Sequence, residues 1–409
     1  MKILCVLGEH NYGDPRRGEG YEYANFLPAL RNLGHEVIFF ESYNKDAYVD
    51  FAELNQALLT TVMKEDPDVI FFVLMGYEIW LDTLRILKKR SRAVLLNWAT
   101  DDSWKYAQFS RFLASSFDIY VTTYPQAQAK ARAQGMTHVV LSQWAANTDA
   151  LAQPIPALKC QYDVSFIGTS YGNRPKWMAE LASRGVKVVC YGKGWENGVV
   201  SAQEMRRTIR ESRITLNFGD SGVVFRGVIP TKSRQIKARI FEVPGAGGCL
   251  MTEGAEHLAQ FFDVGSEISI FANIDDLVSQ IRYLLAHPEQ RDAMAAAGYK
   301  RVSQEHTYEA RFTTLLAQAA AVLAARPSIS QLTAQDLAQF DTLMVVHRRI
   351  GPGLRCLKLA MTTLFHPFVG ATRAERASRR LLLEMSWRLC GARAYSARGL
   401  AGRLFYRAS

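Results

Sequence analysis

Short apolar runs alternating with longer amphipathic stretches constrain this chain more than any other feature. In the first half the runs fall at 2–8, 36–41, 68–75, 93–97, 118–123 and 138–142. Their cores are continuously apolar, as in Val69-Ile70-Phe71-Phe72-Val73-Leu74, the pattern of parallel strands covered on both faces. Helical patterns lie between them, and the one at 19–33 is closed by Gly34 at a helix-ending position. Around 147–158 the pattern breaks into a polar stretch with Pro154 and Pro156, a linker composition. A second series then predicts strands at 163–168, 186–191, 214–218, 248–252 and 267–270. Helices are expected at 175–184, 202–212, 235–243 and 255–262, then in succession at 274–286, 289–305 and 308–325. The expected fold class is α/β, two doubly wound, Rossmann-like parallel-sheet domains. Ligands of such sheets bind beyond the carboxyl ends of the strands, here in a cleft that the two domains face.

A chain of 409 residues is too long for one ordinary core. The expected division is an acceptor-side domain over 1–150, a donor-binding domain over 151–326 and a basic helical appendage over 327–409. Charge marks the appendage. The whole chain carries +10, but residues 342–409 hold 13 Lys and Arg against Glu375 and Glu384 alone, so the body is close to neutral. In that tail 333–348 reads as helix, 354–364 is apolar up to His366-Pro367, and 374–388 and 392–406 interleave arginines with Leu, Met, Trp387, Tyr395 and Phe405. Basic amphipathic helices of this kind bind anionic membrane surfaces. Packing on the body or self-association through 342–409 is the alternative. Nucleic acid is the least favoured partner, because no recognised module accompanies the charge.

The six cysteines form no CxxC pair and no metal-ligand spacing, and Cys5, Cys190 and Cys249 lie in strand-like runs. That usage fits a reducing cytoplasm. The apolar run Ile3 to Leu7 is too short for an export signal, and no run of ~18 apolar residues suits a spanning helix. The expected location is therefore cytoplasmic, or peripheral on the inner face of a membrane.

The strongest local signal runs from Lys237 to Glu253. Lys237, Arg239 and Glu242 sit on a predicted helix that Pro244 and Gly245 stop, and Gly247 and Gly248 allow a turn with little side-chain bulk into the next strand. A fixed carboxylate such as Glu242 can accept two hydrogen bonds from the vicinal diol of a ribose. Arg239 and Lys237 can face a diphosphate. Arg174 opens a helix, where backbone N–H groups favour anions. Tyr191-Gly192 follows a strand, and Asn217 with Asp220 ends another, positions from which a nucleotide can be met. Read from pattern alone, surface charges and a structural glycine turn explain the segment equally well.

The segment resembles the donor-site signature of the CgeB-like (spore-maturation) branch of the GT-B glycosyltransferases. Similarity continues through Ala255 to Leu258, Phe261-Phe262, Gly265 to Ile268, Asp276-Leu277, 284–287, and Gly298 by way of His306-Thr307-Tyr308 to Arg311. Tyr162-Asp163 through Gly168 to Arg174 is similar to the family's opening strand and phosphate-side loop. The resemblance implies the GT-B architecture and a nucleotide-diphosphate sugar as donor substrate, with no permanently bound cofactor and no metal. Arg174 becomes a diphosphate contact, and Tyr191, Gly192 and Asn217 join Gly245, Gly247 and Gly248 around the donor. In related families two donor-site glutamates stand eight positions apart. The second matches Glu242, and the first falls on Arg234.

Acceptor binding is expected in the first domain. The loop after its first strand holds Glu9, His10, Asn11, Tyr12 and Arg16, of which His10 is a candidate base. Asp101 and Asp102 follow another strand and resemble the family's acidic loop. Adjacent carboxylates repel, which raises one pKa toward that of a useful base, although capping the next helix is an equally ordinary role. Asp66-Pro67-Asp68 spells a metal-binding D-x-D but precedes a strand, on the wrong side of the sheet for a ligand. The expected function is metal-independent hexosyl or N-acetylhexosaminyl transfer to an acceptor hydroxyl, in cell-surface, lipid-linked or secondary-metabolite glycan synthesis. The alternative is a non-catalytic nucleotide-sugar-binding or assembly protein of the same architecture.

Overall fold

The first six apolar runs form one parallel sheet. Strands β1 (Lys2–Leu7), β2 (Glu36–Glu41), β3 (Val69–Phe72), β4 (Val94–Ala99), β5 (Ile119–Thr122) and β6 (Val139–Leu141) lie in the order β2-β1-β3-β4-β5-β6. Leu4 pairs in register with Ile38 on one side and Ile70 on the other. Both faces are covered, which is why β3 and β4 are buried along their whole length. The helix Phe51–Glu65 supplies Leu54, Leu58, Leu59 and Val62 at the helical repeat to one layer. The chain leaves β1 for β2 on one side and returns to β3 on the other, so a topological switch lies between β1 and β3.

A computed structural model describes residues 1–226, 229–326 and 332–408, with the side chains of 220–233 and 372 outside the described set. The chain divides into two compact units, one made of 1–142 with 313–409 and the other of 143–312. In the second unit the strands are β7 (Tyr162–Ile167), β8 (Val188–Tyr191), β9 (Ser212–Asn217), β10 (Asp220–Arg226), β11 (Ile229–Arg234), β12 (Leu250–Glu253) and β13 (Ser269–Phe271). Five of them make a parallel sheet ordered β13-β12-β9-β7-β8, with its switch between β7 and β9. The antiparallel hairpin β10–β11 departs from the expected pattern. Gly222 and Pro230 interrupt its apolar run. The helix expected at 255–262 is reduced to one 3-10 turn, Leu258–Gln260. His257 just before it has φ +67°, a left-handed backbone that a helix cannot contain.

The basic tail is built into the first unit. Its helices are Ala334–Arg348, Pro352–Val369 (continuous through Pro367) and Ala371–Cys390, followed by a 3-10 segment at Gly391–Tyr395 and a short α-helix at Leu400–Leu404. Leu332, Phe340, Met344, Tyr395 and Tyr406 share the core of the amino-terminal sheet. Trp80 lies 5.7 Å from the Phe340 ring and 4.7 Å from His347, and Phe51 meets Tyr406 edge-on at 4.8 Å. Arg348 pairs with Asp50 at 2.8 Å, and the Ala397 N–H donates to Asp82 at 2.9 Å. Among the described residues no helix is long and apolar enough to cross a membrane.

Candidate functional site

Parallel strands put every strand-to-helix loop on one edge of a sheet, and in the second unit that edge gathers most of the expected donor residues. Arg174 begins the ten-residue helix Arg174–Ser183 after β7. Its guanidinium donates to the Thr169 carbonyl at 2.9 Å and the Phe218 carbonyl at 3.4 Å. It therefore spans the loops that follow β7 and β9, the two strands at the switch. The ring of Tyr171 lies 4.1 Å below it. Tyr191 ends β8, and burial and the neighbouring Tyr162 push its phenol up. Gly192 has φ +124°, and a Cβ there would fall 2.4 Å from the Gly168 carbonyl, so only glycine lets these two loops touch. Asn217, at the end of β9, is buried and donates to the Thr252 hydroxyl at 2.9 Å. The side chain of Asp220 lies outside the described residues.

The helix Arg239–Gly245 leads into β12, so its first turn lies on this carboxyl edge and its last turn on the opposite one. Lys237 stands just before it, where its carbonyl accepts from Ile240 N–H at 3.0 Å. Arg239 and Glu242 are in that first turn and form an ion pair at 3.0 Å, both partly buried. The three glycines are on the other edge. A Cβ on Gly245 would lie 2.8 Å from Ala146, one on Gly247 2.6 Å from the Ala152 carbonyl, and one on Gly248 2.5 Å from Ile209. What approaches these glycines in the structure is protein, at the amino end of β12.

Glu253, not singled out from the sequence, is 5% exposed at the carboxyl end of β12. Its carboxylate accepts from Gly219 N–H at 2.9 Å and pairs with Arg234 at 3.3 Å. Arg234, at the position where related families carry a glutamate, thus has an acidic partner on the same edge. Glu253 ends an apolar strand, a position from which a carboxylate enters a ligand-binding edge, and that was its signal.

In the first unit Asp101 and Asp102 stand beyond β4 but in different surroundings. Asp101 pairs with Lys105 at 3.6 Å and its side chain makes no cap hydrogen bond. Asp102 is 2% exposed, accepts from the Ser110 hydroxyl, and is pushed up by burial. The loop after β1 is held by its own residues. Asn11 donates to the Arg17 and Glu19 carbonyls, Arg16 pairs with Asp14 at 2.9 Å, and Arg17 lies 5.0 Å from the ring of the exposed Tyr12. His10 is 3.8 Å from Glu9, whose N–H donates to Glu41 at 2.9 Å.

Two further groups on this edge escaped sequence reasoning. Glu22, in the first turn of the helix Tyr21–Asn32, is pushed up to about 7 by burial, with Asp101 adding to the effect and Lys105 opposing it. Lys45 is enclosed by the rings of Phe51, Tyr43 and Tyr406 at 4.6, 4.9 and 5.7 Å, and burial pushes its ammonium down to about 8 against the pull of Glu78. Neither has a sequence signature, because the partners come from distant segments. The D-x-D behaves as expected of a turn: Asp66 caps a helix in left-handed backbone, and Asp68 accepts from Lys2 N–H at 2.8 Å at the amino edge. Among the described residues no group of three His, Cys, Asp or Glu could hold a metal ion.

Residues 174–317 match the family described as "Glycosyl transferase-like". Over that stretch the chain is glycosyltransferase-like. Arg174, Arg239, Glu242 and Glu253 all fall inside the matched region. Solved structures share the two-sheet GT-B fold of this chain. Sucrose-phosphate synthase from Thermosynechococcus elongatus aligns with a TM-score of 0.57 at 12% identity, over 80% of this chain and 100% of that one. AviGT4, a glycosyltransferase involved in Avilamycin A biosynthesis, aligns at 0.52 and 12%, over 79% and 98%. Anabaena HepE in complex with UDP and glucose aligns at 0.51 and 11%, over 80% and 100%. No curated protein matches the sequence.

Proposed function

We propose that this protein transfers a hexosyl or N-acetylhexosaminyl group from a nucleotide-diphosphate sugar to an acceptor hydroxyl, without a metal ion, and that it belongs to the CgeB-like branch. The observation that carries the reading is the Arg239–Glu242 pair on the carboxyl edge of the second sheet, within the matched family region. In this reading Glu242 accepts from the ribose diol, and Arg239, Lys237 and Arg174 face the diphosphate. Cations placed there stabilise the charge that builds on the departing diphosphate, most strongly in the transition state. UDP is the first nucleotide to test, because the HepE structure contains it.

The acceptor binds the carboxyl edge of the first sheet, where Glu9, His10, Asn11, Tyr12 and Arg16 surround the β1 loop. A base there, Asp101, His10 or the structurally located Glu22, gives direct displacement and inversion at the anomeric carbon. Of the two aspartates Asp101 is the more accessible. The same reading places the chain on the cytoplasmic face of a membrane, with residues 342–409 meeting an anionic surface or a second copy.

Titration calorimetry with UDP, followed by sugar-nucleotide turnover with UDP-, GDP- and dTDP-sugars, tests the donor assignment. Glu242→Ala and Arg239→Ala should each weaken UDP binding about tenfold or more, the loss of one charge-assisted hydrogen-bonding group. Unchanged affinity in both variants sinks the assignment. The Arg234–Glu253 pair favours a second reading, a protein that binds the nucleotide sugar without transferring it. Tight UDP binding with no turnover or hydrolysis of any donor is its signature.

A further inference from the structure

We propose, resting on the partner reading of 342–409 given above, that the helical hairpin formed by Pro352–Val369 and Ala371–Cys390 docks on an anionic lipid surface. The structure sorts the tail's cations into two sets. Arg348 and Arg407 pair with Asp50 and Asp46, and Arg403 donates to the His347 and Arg349 carbonyls. The two ion pairs hold the tail to its own unit, and the Arg403 bonds tie the tail to itself. On the hairpin, Lys358 and Arg388 are paired with Glu375 and Glu384, the only acidic residues of the tail. Arg355, Arg373, Arg376 and Arg380 are exposed and have no ion-pair partner among the described residues.

The same two helices expose apolar side chains that a water-facing helix would not carry in series. Leu357, Leu364 and Phe368 follow one another at i, i+7 and i+11, and Leu381, Met385 and Leu389 at i, i+4 and i+8, so each helix has an exposed apolar stripe. Phe368 and Leu389 are 80% and 79% exposed. The inward stripe of the second helix, Ala374, Ser378, Leu382 and Ser386, is separately buried. The exposed stripes are therefore surplus to the packing of the unit. Apolar surface beside unneutralised arginines suits an interface of acyl chains and anionic headgroups. A second copy of the chain is the poorer occupant. Apposed hairpins would bring like charges together, and neither hairpin offers carboxylates that are not already paired.

The test is sedimentation of the full-length chain with phosphatidylcholine vesicles, with and without phosphatidylglycerol, at low and high salt. The expected result is binding to the anionic vesicles only, weakened by salt. Two variants should lower the partition at least about tenfold: Arg373→Glu with Arg376→Glu and Arg380→Glu, and Leu364→Ser with Phe368→Ser. All these side chains are exposed, and thermal melts that match the wild type confirm intact folding. Equal binding to neutral and anionic vesicles, no binding to either, or unaltered binding in both variants overturns the proposal. So does self-association that Leu364→Ser with Phe368→Ser abolishes while vesicles are ignored. UDP affinity measured on the same proteins keeps the two readings apart. Loss of vesicle binding with UDP affinity retained leaves the donor site standing, and vesicle binding without UDP affinity leaves the hairpin standing.

Discussion

Burial, more than sequence neighbourhood, decides what each carboxylate on the carboxyl edges of the two sheets can do. Asp101 and Asp102 are adjacent in sequence, yet one is paired with Lys105 near solvent and the other is enclosed beside Ser110. Glu22 is a carboxyl held near neutrality, at about 7 against an ordinary 4.5. Its folded-state pKa is raised, so the folded chain holds a proton that the unfolded chain has released between those values. Its contribution to stability is complete below 4.5 and is lost as pH rises through about 7. Glu22→Gln should therefore gain stability over the wild type as pH rises across that window, as read from urea midpoints at several pH values. A difference that stays flat or shrinks with pH refutes the assignment. If Glu22 is also the base, the same substitution removes the rise in transfer rate near neutral pH.

At the scale of elements, the segment from Lys237 to Glu253 works at both edges of its sheet. Its first half, with Arg239 and Glu242, reaches the carboxyl edge because a helix feeding a parallel strand starts there. Its glycines reach the amino edge, where they let the turn pack under Ile209 and the 146–153 segment. Gly248→Ala places a methyl 2.5 Å from Ile209 and 3.0 Å from Val243. It should cost the second unit about 1–3 kcal/mol through overpacking, seen as a lower denaturant midpoint. UDP affinity of the folded fraction should be unchanged. Loss of affinity without loss of stability would return the glycines to the ligand.

Across the whole molecule, the tail is part of a core as well as a carrier of charge. Truncation before residue 342 removes Tyr406 from Phe51, His347 from Trp80 and Tyr395 from Phe109 and Phe112, and with them the Asp50–Arg348 pair. Deleting large core side chains costs about 2–5 kcal/mol each, against a total stability of about 5–15 kcal/mol for a domain. The truncated chain should lose the cooperative thermal transition of its amino-terminal unit and bind hydrophobic dyes. A truncated protein that still melts cooperatively at the wild-type temperature would show that the tail contributes little to that core.

Local chemistry makes the two sheets legible in the amino-acid order alone. Val69 to Leu74 announces a strand covered on both faces, and Asp66-Pro67-Asp68 announces a turn at the wrong edge for a ligand, because both signals lie in adjacent residues. The sequence by itself therefore determined the two parallel sheets, the loops that could hold a donor, and the charge of the tail. Only the tertiary structure decided that Glu253 answers Arg234, that Glu22 lies in the field of Asp101, that Lys45 is caged by Tyr406, and that the tail completes the first core. Those contacts join segments up to hundreds of residues apart, and no periodicity or spacing along the chain records which distant side chain will fill a given space.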